Sequence, residues 1–281
     1  MGKEFTKEDV IINKKEAIKS LNKLLEFYIN DPNGQHLKKA HLISYWLKDF
    51  VRYIKFEENF DPAKNISYKR GNVIKVNFGF NIGSEYGGLH YGIVLDKQND
   101  HNSPVLTVIP LTSVKDSKEI HDNNVGLGNE IYKLLKLKYD TISKSLKQEQ
   151  LEIAATQSVI QNYTLMISQA LEIAKKVPTG SNEFVKNLSS AEDNLDIVRV
   201  LQNFWNEKEA HNSANIEYLE KIGSEISRMK EGSIAIVNQI TTVSKIRIFD
   251  PRDSKGVLSG ISLSAESMEK INKKLQELYV F

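Results

Sequence analysis

The hydrophobic period of the chain changes four times between its two ends. Over the first 60 residues the apolar positions recur near the helical spacing. Val10, Ile11, Ile18, Leu21, Leu25 and Tyr28 lead up to the breaker Asp31-Pro32-Asn33-Gly34, and Leu37, Ala40, Leu47, Phe50, Val51 and Ile54 lead up to Asp61-Pro62. Thr6 with Asp9 three residues later reads as a capping pair at the first helix. Trp46 makes the second helix part of an aromatic-rich hairpin, the pattern of a packing platform more than of a ligand pocket.

From Ser67 the period drops to two. Ile74, Val76, Phe78 and Phe80 alternate with Val73, Lys75, Asn77 and Gly79, which predicts a half-buried strand. A polar glycine loop follows, then the apolar runs 92–95 and 105–111 separated by turn formers, so three short strands make an antiparallel unit. Between Asn129 and Lys230 the helical period returns. Ile131, Leu135, Ile142 and Leu146 mark one face, and Val159, Ile160, Ile167, Leu171 and Ala174 carry a similar stripe up to Val177-Pro178. From Ser181, the residues Phe184, Leu188, Ala191, Leu195, Val198 and Trp205 fall at steps of four and three, a heptad seam interrupted by Gln202. These segments predict an antiparallel helical hairpin packed on itself or on a twin subunit. Ile234 to Gln239 and Thr241 to Phe249 read again as strands, and a closing amphipathic helix starts near Ser264.

Composition narrows the classes. The 281 residues are 40% hydrophobic and 26% charged, the make-up of a folded globular chain. The balance of 38 basic against 36 acidic residues gives a net charge of only +2, so nucleic-acid binding requires a local patch. The chain has no cysteine, which removes disulfides, thiolate metal sites and cysteine nucleophiles. His36 and His41, the closest histidine pair, stand five apart, a poor fit to one helical face, so no metal or other cofactor is expected. The N-terminus has mixed charge and no apolar core of a secretory signal, and no spanning segment occurs; a cytoplasmic protein is the expectation.

The chemistry concentrates in residues 70–113. Arg70-Gly71 leads into a strand, Gly83-Ser84-Glu85-Tyr86-Gly87-Gly88 forms a loop, and Thr112-Ser113 ends the third strand. This layout resembles the MazF/PemK family of toxin endoribonucleases. A second block supports it: Gln239, Ile240, Thr242, Val243, Lys245 and Arg247 are similar to the family's later strands, and LSAESMEKINKKLQELY to its terminal helix.

The resemblance implies an α+β protein built on a small SH3-like barrel with large helical additions. Its pieces would be an N-terminal hairpin (1–66), a barrel from 67–128 and 231–281, and a coiled-coil-like insertion (129–230). It also implies a homodimer that cuts single-stranded RNA without a metal, through attack of the RNA's own 2′-hydroxyl, and a cognate antitoxin as partner. The family's catalytic positions fall on His90 and Thr112, with Ser113 as an alternative hydroxyl. The departure is His90-Tyr91 where the family has Arg-Pro: a permanent charge gives way to a titratable ring, chemically a more natural proton shuttle. Arg70 and Lys75 are expected near phosphates. Tyr86 and Tyr91 are candidates to stack on unpaired bases. Ser84, Glu85, Gly87 and Gly88 complete the RNA-binding loop. A competing class is a non-catalytic module that binds nucleic acid or grips a protein target, in the manner of CcdB-type gyrase poisons.

Overall fold

The computed structural model describes residues 5–114 and 119–280. Among them are five α-helices and seven strands with antiparallel pairing, an α+β protein. No helix of the described residues is long and apolar enough to cross a membrane. The chain divides into two compact units, one of Met1–Thr112, Ala235–Asp253 and Ile271–Phe281, the other of Ser113–Ile234 and Ser254–Lys270.

The first unit opens with α1 (Lys7–Ile29) and α2 (Leu37–Glu57). Thr6 and Asp9 close a reciprocal capping box at α1, the Thr6 hydroxyl accepting from Asp9 N at 3.1 Å and the Asp9 carboxylate from Thr6 N at 3.0 Å. Of the 36/41 pair, His36 precedes α2 without a side-chain capping bond; its Nδ1 sits 2.7 Å from Asp31 Oδ2 and its ring stacks on Tyr28. The sheet follows, with β1 (Val73–Asn77), β2 (Leu89–Val94) and β3 (Val105–Ser113) as a meander.

Strands from the far end of the sequence flank this meander. β6 (Thr241–Ser244) pairs with β3 from Val105↔Ser244 to Val108↔Thr241, and β7 (Ile248–Asp250) pairs with β1 at Val76↔Ile248. Their apolar sides meet in one core: Tyr68, Ile74, Val76, Phe78, Val94, Leu106 and Val108 with Val243 and Ile248, each at most 3% exposed. The period-two alternation of 73–78 thus places Ile74, Val76 and Phe78 on the buried side.

Two strand expectations are corrected. Thr241 to Phe249 is broken by a 3-10 turn, Lys245–Arg247, and the stretch from Ile234 yields only β5 (Ser233–Ala235) followed by a second such turn, Val237–Gln239. The first break is forced by connectivity. The chain leaves β6, on the edge of β3, and enters β7, on the edge of β1, within three residues, which no flat strand can do. Lys245 and Ile246, adjacent in sequence, are both buried there, against the alternation a strand would impose. No ladder joins β6 to β7, so the sheet stays open among the described residues and the SH3-like closure is not seen.

The second unit is dominated by α3 (Glu130–Lys176) and α4 (Asn182–Arg228), 47 residues each and about 70 Å long at 1.5 Å per residue. Lys208 meets Glu152 and His211 meets Glu149, both at 3.4 Å, so numbers fall along one helix as they rise along the other: the hairpin is antiparallel. Ser181 caps α4 by accepting from Phe184 N at 3.2 Å. Of the predicted seam, Ala191 and Val198 are buried while Leu188 and Leu195 stay about 40% exposed, because two helices alone cover a narrower stripe than a larger bundle. β4 (Val125–Gly128) precedes α3, and α5 (Ala265–Tyr279) closes the chain.

Candidate active site

Residues 78–88 join β1 to β2, and glycines allow the chain to turn back within hydrogen-bonding range of itself. Phe78 N donates to Gly88 O at 2.8 Å and Gly88 N to Gly79 O at 2.6 Å, extending the β1/β2 ladder past Asn77↔Leu89. A Cβ on Gly87 would lie 2.7 Å from the Gly79 carbonyl oxygen, closer than any side chain tolerates. Asn81 Nδ2 ties the loop across its waist by donating to the Tyr86 carbonyl at 2.7 Å, and Glu85 accepts from Ile82 N at 3.2 Å.

A residue from beyond the helical hairpin clamps the loop. Gln239 accepts from Tyr86 N at 2.6 Å and donates to Ser84 O at 3.0 Å, an amide reading two backbone groups as a neighbouring strand would. Ser84 and Glu85 are exposed at the crest.

Tyr86 connects the two principal candidates. Its ring lies 4.8 Å from the His90 ring, centroid to centroid, and packs edge-on against Phe78 at 5.6 Å. Its hydroxyl donates to the Leu111 carbonyl and is hydrogen-bonded by the Thr112 side chain. Burial pushes its pKa up to about 12, so it stays a neutral phenol. β2 and β3 pair at Gly92↔Pro110, and continuing that register by two residues sets Thr112 across from His90 on the same face. Ring, phenol and hydroxyl therefore gather at one end of the sheet. Ser113, the last residue of β3, alternates to the other face.

His90 is exposed on one side, yet its ring rests against Tyr86 and within 3.3 Å of the point where a Cβ on Gly88 would stand. Desolvation holds its pKa below the ordinary imidazole value, with a backbone hydrogen bond to Gly87 acting in the opposite sense. The neutral ring, able to accept a proton, is the favoured form near neutral pH.

The other expected contacts are placed elsewhere. Arg70 sits at the opposite end of the β1/β2 pair, donating to the Leu95 carbonyl and, at 2.6 Å, to Asn272 Oδ1. Lys75 and Tyr91 face each other on the far side of the sheet from His90, the ammonium 5.5 Å from the ring centre, with Phe249 beside them. Tyr86 is half-buried with its hydroxyl engaged, so it braces the site.

Arg247 lines a cavity beside the loop. A cavity of about 700 Å³ on the Tyr86 side of the loop is bounded by Phe78, Tyr86, Gln239, Thr241 and Arg247 among others. Arg247 Nε donates to the Asn77 carbonyl at 2.7 Å and its guanidinium lies 5.3 Å from the Trp46 ring, held in place while lining the cavity. Its sequence neighbour in the Lys-x-Arg stretch goes the other way: Lys245 is 1% exposed and gives its ammonium to the carbonyls of Asp100 and His101 at 3.0 and 3.2 Å. Sequence alone marked both as a stretch similar to the family; only the turn at 245–247 separates buried from displayed. Among the described residues no cluster of histidine and carboxylate side chains is arranged to hold a metal.

The gathered His90, Tyr86 and Thr112 lie inside a segment that matches a known family. Residues 69–164 match the family of PemK-like, MazF-like toxins of type II toxin-antitoxin systems. No curated protein matches the chain. The PemK/MazF-like segment takes in β1 to β4 and runs well into α3, about a third of the chain; α1, α2 and the block from Gly232 to Tyr279 lie outside it. The sheet nonetheless joins β6 and β7 to the matched β3 and β1, so the clamp Gln239 and the cation Arg247 come from outside the PemK/MazF-like segment and bond to its loop and first strand.

Proposed function

We propose that the protein is the toxin of a type II toxin-antitoxin pair, a metal-independent endoribonuclease of single-stranded RNA working in the cytoplasm as a homodimer under the control of a cognate antitoxin. The open sheet is then the curled wall of an SH3-like barrel, residues 67–128 and 231–281, carrying a helical hairpin before it and an insertion at 129–230.

The observation that carries this reading is the gathering of a desolvated His90 and the Thr112 hydroxyl around Tyr86, beside the glycine loop of a PemK/MazF-like segment. Neutral His90 takes the proton of the RNA 2′-hydroxyl. The 2′ oxygen bonds to phosphorus, the bond from phosphorus to the 5′ oxygen breaks, and the departing oxygen takes a proton from water, leaving a 2′,3′-cyclic phosphate and a 5′-hydroxyl. Thr112, whose hydroxyl proton goes to the Tyr86 oxygen in the free protein, turns that proton to a phosphate oxygen when RNA binds. Because His90 acts as a base with a depressed pKa, the acid limb of activity falls below pH about 6.5, the ordinary imidazole value.

The test is cleavage of a long single-stranded RNA by purified protein in EDTA, with end-group analysis of the fragments. Cyclic phosphate ends that vanish in His90→Ala are expected. Intact RNA under all conditions would favour the non-catalytic alternative, a toxin module that grips a protein through the exposed apolar faces of α1 and α2.

A further inference from the structure

The aromatic hairpin at the N-terminus was expected to be a packing platform, but it buries little. α1 has no buried residue, and α2 buries only Ala40 and Ile43. One wall of α2 instead faces the candidate site. A cavity of about 730 Å³ on the second side of the glycine loop is bounded by Lys38, His41, Leu42, Tyr45 and Trp46 of α2 and by Gly87, Gly88 and His90. This cavity and the one lined by Arg247 share Asn81 and Glu85, so the loop is a ridge between them.

The α2 wall has the chemistry of a nucleotide site. Tyr45 is 54% exposed, with the His41 ring edge-on at 4.6 Å one turn before it and Lys48 Nζ 4.3 Å from its ring centre. Trp46, by contrast, is already committed, packed on Gly79 and under Arg247. Charge points the same way. α2 carries Lys38, Lys39, Lys48, Arg52 and Lys55 against Asp49 and Glu57. Asp49 is neutralised by Arg52 at 3.0 Å and takes the Asn77 amide at 3.0 Å. An exposed aromatic with an ammonium group against its ring, on a basic helix, suits a stacked base flanked by phosphates. It suits an aliphatic peptide face poorly, since the Lys48 ammonium at Tyr45 would have to be desolvated.

We propose that Lys38, His41 and Tyr45 form a nucleobase subsite that holds the unpaired nucleotide next to the phosphate acted on at His90. Tyr45 is the stacking platform and Lys38 the phosphate contact; they are binding residues and take no part in proton transfer. The proposal rests on the nuclease reading above. Because α2 lies outside the PemK/MazF-like segment, the subsite is an addition made by this chain's N-terminal hairpin.

The test uses the full chain. Binding of a fluorescent single-stranded oligoribonucleotide is measured by anisotropy in the His90→Ala background, and single-turnover cleavage in the background with His90 intact. Tyr45→Ala is expected to weaken binding by roughly 5- to 100-fold and to raise the half-saturating protein concentration in parallel, as loss of one stacked base does, with a maximal rate within about threefold of wild type. Tyr45→Trp should restore affinity, and Lys38→Gln should weaken it with a reduced dependence on salt. RNA binding unchanged in Tyr45→Ala, with cleavage intact in wild type, would overturn the subsite alone and leave the α2 wall to a protein ligand. Wild type that neither binds nor cuts the RNA would overturn the subsite together with the nuclease reading.

Discussion

The two units solve the problem of burial in opposite ways. The sheet unit ties residues far apart in sequence, with Tyr86 bonded to Gln239 across 153 positions and Asn77 to Arg247 across 170, around a core exposed at most 3%. The α3/α4 hairpin is a ladder of repeated rungs between two adjoining helices, Glu152 with Lys208 and Glu149 with His211 among them. Alongside Leu135, Leu146, Ile153 and Ile222 it buries alanines and a polar Asn212, while Leu137, Leu151, Val185 and Val200 stay more than half exposed. Precision is therefore concentrated where chemistry is proposed: a groove assembled from four separate stretches needs each held to a fraction of an ångström. A hairpin whose contacts repeat along its length tolerates error at any one rung.

The strongest way to break this contrast is His90→Ala. Loss of roughly two to four decades in cleavage rate, with RNA binding retained, is expected, read by single-turnover kinetics. A comparable rate loss from Leu151→Ala, 67% exposed on α3, would show that the hairpin shares the chemistry. Stability separates the units next. Ile74→Ala empties a fully buried core position and should cost about 2–5 kcal/mol, whereas Leu151→Ala should stay within about 0.5 kcal/mol, both by denaturant unfolding.

Gln239→Ala removes both bonds that clamp the loop and should cost about 1–3 kcal/mol, seen as faster exchange of the Tyr86 amide hydrogen. The hairpin responds in the opposite direction. Asn212 is 4% exposed and its amide nitrogen has no partner among the described residues, so Asn212→Leu should raise the melting temperature, a gain of about 1 kcal/mol. The smallest effect is a slope with pH. Since burial lowers the His90 pKa in the folded chain, the unfolded chain binds that proton more readily. Stability from this group is complete above pH about 6.5 and is lost as pH falls through the lower folded value; His90→Gln should flatten that slope.

Much of this architecture is legible in sequence, and the failures are specific. Alternation at 73–78 marks the buried side of β1, and Pro178 with Ser181 marks the hairpin turn, because both are local signals. The glycine loop with His90 and Thr112 is found by its resemblance to a family, and register brings the two candidates to one face. Arg70 and Tyr91 fail as groove residues because nearness in sequence order does not say which end or face of a strand a side chain takes. Gln239 and Arg247 escape as site residues because their value comes from contacts more than 150 positions away. The α2 wall escapes because an aromatic stripe reads identically whether it is covered or left open.

The Gln239 clamp also bears on how the molecule is born. The loop with Tyr86 leaves the ribosome 153 residues ahead of the amide that holds it, and at about 5–20 residues per second the interval is roughly 8–30 s. Throughout that time β1 and β3 lack the flanking strands β7 and β6, and Arg247 does not yet exist. Because the α3/α4 hairpin is inserted between the two halves of the sheet, the loop stays unclamped and the sheet unflanked until residues 239–250 have been synthesised.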